Sequence, residues 1–190
     1  IRLSLVGSEM CIRDRLRASK PDAVFFFLPG GMGVNFIKQF NGAGLSKDIA
    51  LLAPGFSGDE DTIAAVGAPI QGLRNTSQWA ADLDNPANRK FVEDFKKAYN
   101  RSPTLYASQG YDAAMLLDSA VRQTGGKLEA DALRPALRRA DFKSVRGDFK
   151  FNRNQYPVQN YYLRVVEAGA DGKLLSLIHI SEPTRLRRIS

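Results

Sequence analysis

Apolar residues run unbroken through AVFFFLP (23–29), with Pro21 just before the run and Pro29 at its end. Such a run predicts a strand buried on both faces of a parallel sheet. GGMG (30–33) then makes a turn, and VNFIKQFNGAGL sets Val34, Ile37 and Phe40 three residues apart, a helix closed by Gly42 or Gly44. IALLAP (49–54) predicts a second buried strand, DEDTIAAVG (59–67) a short helix with an acidic start, and GLRNTSQ (72–78) a third strand. Strand alternating with helix is the pattern of βαβ crossovers, hence an α/β fold with a parallel sheet.

After Trp79 the pattern turns helical. Asn85 followed by Pro86 reads as an N-cap with proline at the first helical position, and Phe91, Phe95 and Tyr99 then recur every fourth residue. Residues 106–123 carry Tyr111, Ala114, Leu117 and Val121 as one stripe, widened by Met115 and Leu116, which predicts a deeply buried helix. ADALRPALRRAD places Leu133, Ala136, Leu137 and Ala140 on one face, with Arg138 and Arg139 outward. GDFKFN and YYLRVVE alternate with period two and predict two closing strands.

The two ends break these patterns. VGSEMCIRDR (6–15) and LSLIHISEPT (175–184) show neither amphipathic order nor turn logic. Both can be encoded by one DNA string, gtgggctcggagatgtgtataagagacag, read forward for the first segment and as its reverse complement for the second. The string resembles a transposase adapter of sequencing libraries, so residues 1–15 and 175–190 are expected to be translated adapter and are set aside from fold reasoning. Setting them aside removes six arginines and three acids, and the net charge falls from +7 to +4. A nucleic-acid partner loses its electrostatic basis, and none is expected. Cys11 and His179, the sole cysteine and histidine, go too, which leaves the remaining chain without Cys/His metal sites, Cys nucleophiles or Ser-His-Asp triads.

Few of the remaining motifs carry chemistry. A strand-to-helix turn such as GGMG can offer backbone N–H groups to an anion at a helix N-terminus, or can simply be a tight turn. Phe36 stands where a dinucleotide fingerprint needs glycine, and VNF where a phosphate loop needs Gly-Lys-Ser/Thr, so no cofactor is implied. The acids of GDED (58–61) fit helix capping better than a cation site. Asp141, Arg146 and Asp148 read as a solvated turn, since no two carboxylates are held at a fixed short separation. Tyr106, Tyr111, Tyr156, Tyr161 and Tyr162 are candidates to line an apolar pocket. No metal ligands and no catalytic residues are nominated.

In order and spacing, PDAVFFFLPGGMGVNFIKQFNGAGL, LLAPGF, DNPANRKFVEDFKKAY, GYDAAMLLDSAV and SVRGDFKFNRNQYPVQNYYLRVV resemble the later half of type I periplasmic solute-binding proteins of ABC transporters, in the leucine/isoleucine/valine-binding branch. The resemblance implies two Rossmann-like lobes, of which residues 16–77 are the later part of the second, 78–154 a helical return to the first, and 155–174 a crossover and strand of the second. A first lobe's sheet and a signal peptide would then precede this stretch. It also implies a non-enzymatic periplasmic receptor that traps a small organic solute between its lobes and passes it to an inner-membrane ABC permease. A ligand-sensing regulator on the same fold is the alternative, and a small α/β enzyme a more distant one. Amino-acid-binding members supply a tyrosine and a glutamate at positions that fall near Pro29, Gly30 and Gly31, and near Phe56; neither residue type is present. A buried ammonium without a carboxylate would cost several kcal/mol, so the resemblance with these departures implies an apolar or aromatic acid. Tyr106 matches the aromatic residue of the first lobe that meets the ligand.

Overall fold

The structure, a computed structural model, describes residues 12, 14–169 and 172–180. Cys11 and the other adapter-like residues of 1–11 lie outside that range. The chain divides into two compact units. Unit 1 runs to Ser77 and resumes over Leu163–His179, and unit 2 takes Gln78–Tyr162.

Unit 1 is built on a five-stranded sheet in the order β1-β2-β3-β6-β7, with β1 Ala23–Phe25, β2 Ala50–Pro54, β3 Arg74–Ser77, β6 Tyr162–Ala168 and β7 Leu174–Ile180. β1 and β2 are parallel in the register Ala23 to Ala50, and β2 and β3 in the register Leu52 to Arg74. α1 (Gly31–Gly42) connects the first pair and α2 (Glu60–Val66) the second. Phe36, Ile37 and Phe40 of α1 pack with Leu51, Ala53, Ile63 and Val166 in a single core cluster. The α/β architecture and the βαβαβ order agree with the sequence pattern.

Three expectations change. AVFFFLP is a strand over three residues only, and Phe25 and Phe27 are each 66% exposed. β1 is an edge strand of the sheet, and both rings stand largely in solvent. GGMG is not a free turn: Gly30, at φ 59° and ψ −138°, makes the turn alone, and residues 31–33 already form the first turn of α1. Gly33 must be glycine there, because a Cβ would stand 2.3 Å from the carbonyl oxygen of Leu28. Residues 175–180, set aside on sequence grounds, form most of β7, and Ser176 Oγ accepts a hydrogen bond from the Asn75 amide at 3.1 Å. LLSLIHI is rich in β-forming residues and finds the open edge of β6 to pair with.

Unit 2 contains α3 (Pro86–Tyr99), α4 (Leu105–Gln123), α5 (Ala130–Arg139) and a two-stranded antiparallel ribbon of β4 (Lys150–Phe151) and β5 (Pro157–Val158). Asn85 caps α3 by accepting from the Asn88 N–H, with Pro86 at the first position, and Thr104 caps α4 from the Ala107 N–H. Trp79 is fully buried, and its Nε1 donates to Asn88 Oδ1 at 2.7 Å. Asn88 in turn donates to the carbonyls of Ala80, Ala81 and Leu83. One buried amide thus satisfies a whole turn of irregular backbone.

α4 is not the deeply buried helix its stripe predicts. Leu117 is 54% exposed, and the buried positions are Leu105, Ser108, Asp112 and Ala120. The buried face is organised by a charge: Asp112 accepts from the Val145 N–H, from Ser144 Oγ at 2.6 Å and from Arg146 Nε at 2.9 Å. Arg146 is therefore part of a buried ion pair rather than a solvated turn, and it also stacks on Phe149.

Candidate functional site

The carboxyl ends of parallel strands are where an α/β sheet offers backbone and side chains to a ligand. In unit 1 the chain leaves β1 through Phe27, Leu28, Pro29 and Gly30 and enters α1 without any side-chain cap. The first helical bond, Val34 N–H to Gly30 carbonyl, leaves the N–H groups of residues 31–33 without intrahelical acceptors. Space in front of Gly30 and Gly31 is open, with nothing within 4 Å of where a Cβ would stand.

After β2 the chain forms a tight 3-10 turn, Gly55–Gly58, that holds Phe56. The Phe56 ring meets the exposed Phe27 ring edge-on, with centroids 5.2 Å apart and planes at 87°. The turn is pressed onto β3. A Cβ on Gly55 would lie 2.9 Å from the Thr76 carbonyl oxygen, and one on Gly58 would lie 2.2 Å from Asn75 Nδ2. Beneath it, the buried Arg164 of β6 donates to the Gly55 carbonyl and to Asn75 Oδ1, both at 2.9 Å.

The acids that follow behave unexpectedly. Asp59 stands at the N-cap of α2 but makes no side-chain capping bond. Burial first, then a hydrogen bond to Asp59 and that residue's charge, push the Glu60 carboxyl from its ordinary 4.5 up to about 8, with Arg164 opposing. Glu60 is therefore neutral at pH 7. Its Oε2, like Ser57 Oγ, is buried without a hydrogen-bond partner. No group of three or more metal-ligating side chains is gathered among the described residues.

Pro29, Gly30, Gly31 and Phe56 thus share the carboxyl end of β1 and β2, while Tyr106 is in unit 2, the second residue of α4 and 60% exposed. Of the other tyrosines, Tyr111 joins Phe91, Phe95 and Tyr99 around an apolar groove of about 360 Å³, Tyr162 is buried, and Tyr156 and Tyr161 face solvent. Phe27, Ser57 and Arg164 were not singled out from the sequence. Phe27 lay inside an apolar run read as core, and Arg164 comes to the turn from 109 residues away.

The model of the family described as periplasmic binding protein matches residues 12–173. The chain belongs to the periplasmic binding protein family. Its members are solute-binding proteins rather than enzymes. A Leu/Ile/Val-binding protein homologue of Brucella melitensis is 34% identical over 178 residues, which cover 90% of this chain and 46% of the relative. Among solved structures, a solute-binding protein of an ABC transporter from R. palustris, in complex with benzoate, is 37% identical with a TM-score of 0.79, over 88% of this chain and 45% of that one. A second, from Rhodopseudomonas palustris BisB5 with 3,4-dihydroxybenzoic acid, is 34% identical with a TM-score of 0.77, over 88% and 47%. This periplasmic binding protein chain spans about half the length of the curated relatives it matches.

Proposed function

We propose that the complete receptor containing this chain captures a small aromatic carboxylic acid in the periplasm and delivers it to an ABC permease of the inner membrane. The observation that carries this reading is the Phe27–Phe56 edge-to-face pair beside the uncapped start of α1. A benzoate-like ring packs on such a pair, and its carboxylate suits free N–H groups at the positive end of a helix. No acid stands at residues 29–31 or 55–56 to neutralise an ammonium, and Glu60 nearby is protonated. An α-amino acid would leave its ammonium unpaired there. The benzoate and dihydroxybenzoate complexes of the two R. palustris proteins support the same ligand class. Tyr106 is proposed to meet the ligand from unit 2.

The test is Phe56→Ala in the complete receptor, with benzoate affinity measured by equilibrium dialysis. Loss of the ligand's contact with the Phe56 ring, worth about 1 kcal/mol, predicts a loss of affinity of roughly fivefold. Unchanged affinity would show that Phe56 does not touch the ligand.

A further inference from the structure

Unit 2 holds a cavity of about 430 Å³ away from residues 29–31 and 56, lined by Leu116 of α4, Arg134, Leu137 and Arg138 of α5, Phe151 of β4 and Gln155. Leu116, Leu137 and Phe151 are half-buried and make an apolar wall, whereas the two arginines and Gln155 are exposed at its edge. Arg134 and Arg138 are four residues apart on one helix, so their guanidinium groups share a face. Arg134 approaches Asp131 only at 3.7 Å in a solvent-exposed pair, and Arg138 has no carboxylate partner among the described residues. Arg139, one residue on, is by contrast committed to Gln123, donating through Nε at 2.7 Å. No acid lines the cavity among the described residues. Gln155, at φ 65°, is the left-handed residue that closes the hairpin turn between β4 and β5, where Asn152 N–H donates to the Tyr156 carbonyl at 2.8 Å. Its N–H is fixed on the Asn152 carbonyl at 2.9 Å.

We propose that this cavity is a second ligand site, for a small monocarboxylate with an apolar body. Its ring or short chain lies against Leu116, Leu137 and Phe151, and its carboxylate is bridged by Arg134 and Arg138. Guanidinium forks match a carboxylate's two oxygens, and the volume lies in the range of small-molecule pockets. The site is on other elements than the one proposed in unit 1 and does not rest on it.

The experiment is photolabelling of the 190-residue chain with 4-benzoylbenzoate, a carboxylate bearing a photoreactive ring, followed by peptide mapping. Label is expected in the peptides carrying Leu116, Leu137 and Phe151. It is expected to fall at least fivefold with the uncharged 4-benzoylbenzamide and in Arg134→Gln/Arg138→Gln, whose circular dichroism should match that of the parent because both side chains are exposed. Label that ignores both changes, or no label in these peptides, overturns the proposal. Label in the peptides of Phe27 and Phe56 reports separately on the unit 1 reading, so either site can fail without the other.

Discussion

Among the described residues, Glu60 carries the largest departure from ordinary side-chain chemistry, and the departure has a measurable sign. Folded, it keeps its proton up to about pH 8; unfolded, it releases it near 4.5. Between those values the folded state binds more protons, so stability is full below 4.5 and falls as pH rises towards 8. Glu60→Gln, which cannot ionise, is expected to flatten that fall by on the order of a few kcal/mol between pH 5 and pH 8, read by urea denaturation at each pH. An unchanged pH dependence would show that the carboxyl is ionised in the folded protein. At this scale the sequence was legible only in part. Pro29, Gly30, Gly31 and Phe56 were found by matching segments, and they lie together at the carboxyl end of two adjacent strands. From sequence alone Glu60 is one acid of a helix-capping turn, because sequence spacing says nothing of how deeply a first-turn carboxyl is buried.

Among elements, α3 is legible in its start and its apolar spacing, since Asn85, Pro86 and the Phe91/Phe95/Tyr99 stripe are local signals, whereas its left-handed C-cap at Asn100 is not. α4 was legible in extent but not in orientation. Its apolar stripe is half-exposed, and the face that is buried carries Asp112. That face is decided by an ion pair to a residue 34 positions away, which no local periodicity encodes. Asp112→Ala would leave Arg146, only 14% exposed, without its counter-charge. A loss of about 3 kcal/mol is expected, measured by chemical denaturation, with α4 released from the 144–146 loop. Stability within 0.5 kcal/mol of the parent would show that the pair is incidental. β1 failed in the opposite direction. A continuous apolar run reads as two-sided burial, but an edge strand whose alternate side chains, Phe25 and Phe27, are exposed around a buried Phe26 presents the same letters.

For the whole molecule, what decides the reading is the family and the departures from its amino-acid-binding pattern. Order and spacing of five segments pointed to periplasmic binding proteins, and the family match over residues 12–173 shows that membership. No helix among the described residues is long and apolar enough to cross a membrane. The proposed aromatic-acid ligand is supported by other features: two phenyl rings at the carboxyl end of adjacent strands, a helix start without a side-chain cap, and no acid at residues 29–31 or 55–56. The most direct test is isothermal titration of the complete receptor, at pH 7, with benzoate and with leucine. Saturable heat with benzoate and none with leucine is the predicted result; tight leucine binding without benzoate binding would contradict the aromatic-acid assignment.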